Sequence, residues 1–259
     1  MLRRTTSRKR GNDCPVPPSA KHYTTALIAA AGMSTRMTDE FGNPCAKQQL
    51  QVMGIPVLAR TLLAYEAAET VSEIILITRR EDFDAFIAMA REYHITKLRR
   101  VTEGGETRQD SVRRGLSVVS EATRYVAIAD GARCLITPDQ IDAVNRAAYR
   151  TDAAIAATPA VDSIKIADRK NRTTASPDRA TIWQAQTPQT FAIDLYRAAA
   201  YYAKDHGIQA TDDSALVEAI GRHVALVDCG RENIKITARA DLYLARAILQ
   251  YRATAAEKN

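Results

Sequence analysis

From Thr24 onward the chain alternates between short runs that read as strands and longer runs with helical spacing, and this alternation limits the fold more than any single motif does. Thr24–Ala30 is followed by a helical stretch from Pro56 to Thr70, strand Glu73–Thr78, helix 82–93, strand Leu98–Thr102, helix 107–119 and strand Arg124–Ala129. The next helix starts at Thr137-Pro138-Asp139-Gln140, where Thr137 can cap, Pro138 takes the first helical position and Gln140 can complete a capping box. Strand Ala153–Thr158 ends the series. Repeated β–α units of this kind predict an α/β fold, a mostly parallel sheet covered by helices.

The pattern changes between Pro159 and Trp183, where Asp, Lys, Arg, Asn and Thr surround a short alternating segment, Ser163–Ala167. A stretch this polar cannot belong to a core, and it reads as a protruding β-arm over about 159–183. Helical segments near 193–204 and 212–220, strand His223–Asp228, a short strand Ile234–Thr237 and a last helix from Ala238 to Tyr251 complete one expected domain, residues 23–254.

Composition narrows the class of protein. The net charge of +6 suggests a nucleic-acid partner until it is located: residues 1–22 carry Arg3, Arg4, Arg8, Lys9, Arg10 and Lys21 against Asp13 alone. Five of the six net positive charges therefore lie in a segment that also holds Gly11, Pro15, Pro17 and Pro18, which predicts a disordered basic tail. Such a tail has the chemistry to touch nucleic acid or anionic lipid, or to begin a plastid transit sequence, and an unstructured extension is the simplest reading. The four cysteines and four histidines show neither C-x-x-C nor zinc-ligand spacing. No apolar run approaches the roughly 20 residues of a membrane span, so a cytoplasmic protein is expected.

In an open parallel sheet, ligands bind beyond the carboxyl ends of the strands. The residues there are Gly32 to Arg36, Gly104-Gly105-Glu106, Asp130-Gly131-Ala132-Arg133, Asp162-Ser163 and Lys235. The loop after the first strand, Ala29-Ala30-Ala31-Gly32-Met33-Ser34-Thr35-Arg36-Met37, has one glycine, so it is neither a G-x-G-x-x-G dinucleotide loop nor a P-loop. Its small residues admit a ligand, and Arg36 with Lys47 can neutralise phosphate charge. Asp130, following an apolar strand, can hold Mg²⁺ against phosphate oxygens or merely cap a turn beside Gly131. Gly104-Gly105 suits a flat base or ribose, or a tight turn before the helix holding Ser111. Together these groups describe phosphoryl or nucleotidyl transfer. There is no G-x-S-x-G, H-E-x-x-H or C-x-x-C, and Cys45 near Lys47 reads as an incidental thiol.

Seven motifs occur in order: Ala30-Ala31-Gly32-x-x-x-Arg36-Met37 with Lys47-Gln48; Gly104-Gly105-Glu106-x-x-x-Asp110-Ser111-Val112; Asp130-x-Ala132-Arg133; Asp162-Ser163-Ile164-Lys165; Trp183-x-x-x-Thr187-Pro188-Gln189; Thr211-Asp212-Asp213; and Asn233-Ile234-Lys235-Ile236-Thr237. Over about residues 24 to 252 the chain resembles the 2-C-methyl-D-erythritol 4-phosphate cytidylyltransferases of isoprenoid biosynthesis. The resemblance implies a Rossmann-like nucleotidyltransferase fold with helices on both faces and a homodimer formed through the arm. It also implies CTP with Mg²⁺, and in-line attack of the methylerythritol phosphate on the α-phosphorus. Carried onto this chain, the catalytic residues are Arg36, Lys47, Asp130, Lys235 and Arg179, with Asp130 at the metal. Ala30, Ala31, Gly32, Ser34, Gly105, Glu106 and Ser111 would bind the nucleotide. Arg133, Ser163, Thr187 and Thr211 would bind the acceptor, with Ser163 and Arg179 reaching the partner subunit's site.

The chain departs from the family pattern in a longer stretch between Arg36 and Lys47, in Cys45-Ala46 before the lysine, in Gly131 and Cys134, and in Glu106 and Ser163 where Asp and Thr are common. Gly131 and Cys134 raise the question of local rigidity. Three other readings remain open at this stage: a cytidylyltransferase for ribitol 5-phosphate or another polyol phosphate, a nucleic-acid binder guided by the tail, and a nucleotide-binding regulator that has lost turnover. Nucleic acid and membrane are not expected partners of the domain.

Overall fold

The computed structural model describes residues 21–32 and 48–256. Its first half contains β1 (Thr24–Ala29), β2 (Gln51–Val52), β3 (Ile55–Pro56), α1 (Val57–Ala67), β4 (Val71–Thr78), α2 (Phe83–Glu92), β5 (Leu98–Glu103), α3 (Arg108–Leu116), β6 (Tyr125–Asp130) and α4 (Pro138–Thr151). The second half adds β7 (Ala153–Pro159), β8 (Ile166–Ala167), β9 (Thr173–Ala175), β10 (Trp183–Ala192), α5 (Ile193–Asp205), α6 (Ser214–Ala219), β11 (Ala225–Asp228) and α7 (Arg239–Ala256).

Seven strands form one sheet in the order β11-β7-β10-β6-β1-β4-β5, and every neighbouring pair is parallel except the two made by β10. This is the expected α/β Rossmann-like architecture. Strand periodicity divides the core: Ala26 and Ile28 of β1 point to a layer with Leu58, Leu62 and Tyr65 of α1 and Phe86 of α2, while Leu27 points to a layer with Val112 of α3 and Tyr196 of α5. Helices therefore cover both faces. Each such fully buried large side chain contributes about 1.5–3 kcal/mol.

The capping box at α4 forms as predicted, with Thr137 Oγ1 accepting from the Gln140 N–H at 3.3 Å and Gln140 Oε1 from the Thr137 N–H at 3.0 Å. Three elements differ from the sequence expectation. A hairpin, β2–β3, turns at Met53 (φ 50°) and Gly54 (φ 75°), a two-residue turn made without the usual Asn-Gly signal. Ile234–Thr237 is not a strand; it is open chain whose Ile236 N–H donates to the Ala132 carbonyl at 2.8 Å. The largest difference is β10, ten residues that insert antiparallel between β6 and β7. Its polar residues are satisfied by distant partners: Thr190 donates to Asn145 at 2.7 Å, and Gln189 Nε2 donates to Asp212 at 2.9 Å.

The arm carries the β8–β9 hairpin and a short 3₁₀ turn at Arg179–Thr181. Most of its residues are exposed. The basic tail at 1–20 lies outside the described residues.

Candidate active site

The strands' carboxyl ends open onto two adjoining cavities. The first, about 510 Å³, lies between Ala31-Gly32 after β1 and the Gly105–Arg108 turn after β5, with Asp130 and Lys235 also on its wall. Ala30 points inward; its N–H donates to the Ile77 carbonyl at 2.7 Å and its carbonyl accepts from Gln48 Nε2 at 2.9 Å. That bond fixes the start of the loop. On the facing wall, a Cβ at Gly104 would collide with Ala31 Cβ and Ser111 Oγ, and one at Gly105 with Asp110. Both glycines are thus required by the close seating of the turn on α3. Ser111 Oγ completes that seating, accepting from the Gly105 N–H at 3.0 Å and donating to the Thr107 carbonyl at 2.9 Å.

Asp130 ends β6 and is the electrostatic centre. Lys235 Nζ sits 2.9 Å from Oδ2, Arg108 Nε 3.6 Å from Oδ1 and Arg133 Nε 3.7 Å from Oδ2. Burial pushes this carboxyl's pKa up, but Lys235, Arg108 and Arg133 outweigh it and hold the group below its ordinary value. The Asp130 N–H donates to Thr187 Oγ1 at 3.0 Å. The β10–β7 ladder is irregular between Ala185 and Gln189, so Gln186 and Thr187 leave their pairing with β7 and turn to other partners. Asn233 accordingly donates to Gln186 Oε1 at 2.9 Å and to the Thr187 carbonyl at 3.0 Å, and its own carbonyl accepts from Arg133 Nη1 at 2.6 Å. This lattice brings Lys235, two residues further on, to Asp130.

The second cavity, about 450 Å³, is lined by Arg133, Arg231, Asn233 and Lys235 together with Asp162 and Gln186. Three cations and few apolar groups suit a small, polar anion. Lys235 lines both cavities. Arg179 donates to the Val161 carbonyl at 2.6 Å and borders a neighbouring hollow that shares Thr158, Val161 and Arg231 with the second cavity.

Of the residues expected from the sequence, Ala31, Gly32, Gly105, Glu106, Ser111, Asp130 and Lys235 share the first cavity and Arg133 the second. Thr187 is buried under Asp130 as a hydrogen-bond acceptor. Ser163 and Thr211 are exposed and line neither cavity. Ser34, Arg36 and Lys47 lie outside the described residues. Arg108 and Arg231 are among the cavity cations that escaped the sequence reading, as is Arg79. Arg108 and Arg231 fall on unremarkable positions, one in the first turn of a helix and the other in a loop, and only the fold carries them to the cavities. Gly131 is held by two bonds, from its N–H to the Ala29 carbonyl at 2.9 Å and from Thr61 Oγ1 to its carbonyl at 3.1 Å, which answers the question of rigidity. Cys134 is buried, and burial pushes its thiol up to about 11. Among the described residues no helix is long and apolar enough to cross a membrane.

Known proteins share this fold and much of this sequence. The family model described as "IspD: 2-C-methyl-D-erythritol 4-phosphate cytidylyltransferase" matches residues 24–251. A protein of that name from Thermosynechococcus vestitus is 42% identical over 226 residues, spanning 87% of this chain and 95% of the relative. One from Caldanaerobacter subterraneus is 40% identical across 87% of this chain and 98% of its own length. Among solved structures, the 4-diphosphocytidyl-2C-methyl-D-erythritol synthase of Anaerococcus prevotii superposes with a TM-score of 0.78 at 29% identity, covering 88% of this chain and 96% of that one. The Thermus thermophilus 2-C-methyl-D-erythritol 4-phosphate cytidylyltransferase gives a TM-score of 0.70 at 30% identity, covering 88% and 99%. With its fold, its ordered motifs and nearly its whole described length matched, the chain belongs to the 2-C-methyl-D-erythritol 4-phosphate cytidylyltransferase family.

Proposed function

We propose that the first cavity takes CTP, that the second takes the acceptor phosphate, and that Lys235 works at their junction. The chain is a CTP-dependent cytidylyltransferase: it transfers CMP to 2-C-methyl-D-erythritol 4-phosphate, giving 4-diphosphocytidyl-2-C-methyl-D-erythritol and pyrophosphate. An oxygen of the acceptor phosphate attacks the α-phosphorus, the bond to the bridging oxygen of the β-phosphate breaks, and pyrophosphate leaves with that electron pair. A phosphate monoester is largely dianionic at pH 7, its second pKa being about 6, so the nucleophile needs no general base. It needs cations that bring two anions together, and Lys235 between both cavities is the observation that carries the assignment.

The other roles follow from position. Ala31, Gly32, Gly105, Glu106 and Ser111 frame base and ribose, Ala30 fixes the start of the loop, and Ser34 binds the nucleotide as the family resemblance implies. Arg36 and Lys47 neutralise the departing pyrophosphate, as the family resemblance implies. Arg133 and Arg231 hold the acceptor phosphate, and Thr187 fixes the backbone of Asp130. Among the described residues no group of three His, Cys, Asp or Glu could cage a metal. One buried carboxylate beside a phosphate site is nonetheless the usual protein share of a Mg²⁺ site, the nucleotide supplying other ligands. Asp130 would hold the ion, whose contribution is to offset triphosphate charge.

The exposed arm, with Val161 43% and Ile166 53% accessible, supports a homodimer in which Arg179 and Ser163 complete the partner subunit's acceptor site, while Thr211 serves the acceptor as the family resemblance implies. We place the enzyme in the cytoplasm, or in a plastid should the basic tail act as a transit sequence.

Pyrophosphate release from CTP and Mg²⁺, measured in parallel with methylerythritol 4-phosphate and ribitol 5-phosphate, tests the assignment. Release with the first alone is expected. Release only with the second would overturn the acceptor, and EDTA should abolish turnover if Asp130 supports a divalent ion.

A further inference from the structure

We infer that Asp213 is a positioning residue of the nucleotide cavity, acting through Arg108. The inference rests on the reading that this cavity takes CTP. Arg108 occupies the first position of α3, where the positive end of the helix dipole disfavours a cation. Something else must hold it there. Its Nη2 lies 2.6 Å from Asp213 Oδ2, while its Nε faces Asp130 Oδ1 at 3.6 Å, and the side chain, 31% exposed, lines the cavity. The Asp213 partner raises the guanidinium's pKa against the effect of burial.

Asp213 has no freedom of its own. Its Oδ1 accepts from the buried Tyr196 hydroxyl at 2.5 Å, and its N–H and that of Ser214 both donate to Gln189 Oε1 at 2.9 Å. Gln189 belongs to β10, in the middle of the sheet. Charges therefore alternate in a line, Lys235, Asp130, Arg108, Asp213, whose far end is pinned to the core. A long arginine side chain left unpaired would sample many rotamers and lose them only when nucleotide arrives; anchored, it presents one geometry beforehand. Asp213 thus holds Arg108 against Asp130 and keeps the cavity preformed. The Thr211-Asp212-Asp213 motif serves the nucleotide side through its last residue, whatever Thr211 does for the acceptor.

The test is titration calorimetry of the full chain with CTP and MgCl₂, without acceptor, beside steady-state kinetics. Asp213→Asn keeps the shape and an acceptor for Tyr196 but presents no charge to Arg108. It should weaken CTP binding by about tenfold, raise KM for CTP in parallel, and leave KM for the acceptor within about twofold. Arg108→Met should match it, the double variant should be no worse than either single one, and Arg108→Lys should recover part of the loss. CTP affinity within about twofold of wild type in Arg108→Met, or equal rises in both KM values, would overturn the inference. A lowered melting temperature in Asp213→Asn with CTP affinity intact would do the same. If Asp213→Asn does not fold, Arg108→Met alone decides. Failure of the wild-type chain to bind CTP would instead overturn the assignment of the cavity.

Discussion

The two cavities beside Asp130 are built by opposite strategies. The side we assign to the nucleotide is made of backbone packed too closely for side chains: Gly104 and Gly105 seat on Ala31, Ser111 and Asp110, and the carbonyl of Ala30 is tied to Gln48. The side we assign to the acceptor is made of long cations, Arg133, Arg231 and Lys235, on loops held by Asn233 and by the irregular part of β10. A base and ribose need shape, which tight backbone supplies at little entropic cost; a small polyol phosphate needs charge, which flexible cations supply only when something fixes them. Substitutions should therefore act differently on the two sides.

The largest effect is expected where the sides meet. Lys235→Ala should lower kcat by roughly 10²–10³-fold, because it removes a cation from both substrates and leaves Asp130 with more distant partners. A fall confined to KM for one substrate would break the idea of a shared residue. Arg231→Ala should come next, raising KM for the acceptor about tenfold with CTP affinity unchanged, as loss of one charge-assisted phosphate contact implies. Equal changes for both substrates, measured by the same kinetics and calorimetry, would erase the distinction between the sides.

The arm allows a sharper test. If Arg179 completes a partner's acceptor site, mixing the weakened Arg179→Ala and Lys235→Ala chains should restore activity through hybrid dimers, one of whose sites has both residues. Activity no greater than the sum of the two preparations would confine Arg179 to its own subunit's surface.

On the nucleotide side, Ser111→Ala should cost about 1 kcal/mol of stability, read as a lower melting temperature, because the Gly105 N–H loses its acceptor. The smallest effect concerns pH. The Asp130 carboxyl lies below its ordinary value in the folded chain, so its stabilising contribution is complete above the unfolded carboxylate pKa of about 3.9 and is lost as pH falls through the lower folded value. Asp130→Asn should therefore flatten the acid side of the stability curve while leaving it unchanged in form between pH 5 and 7, roughly the range above both values.

The β–α rhythm, the arm, the capping box of α4 and seven ordered motifs could be read without coordinates, because each depends on neighbours within a few turns of chain: alternation, caps, glycines, polarity. They sufficed for the fold class and for placing Asp130 and Gly105 at strand ends, whereas Ser111 lies within α3 and Lys235 follows no strand. β10 escaped because a strand carrying Gln184, Gln186, Thr187, Pro188, Gln189 and Thr190 lacks the apolar run of a central parallel strand, and Pro188 argues against one. Its polar groups are satisfied by Asn145, Asp212, Asp213 and Asn233, up to tens of residues away, and no local pattern encodes such partners. Arg108 and Arg231 were missed for the same reason. Charge is visible in a sequence, but whether a cation is solvated or held against a buried carboxylate depends on which distant segment the sheet sets beside it, and that is settled by packing.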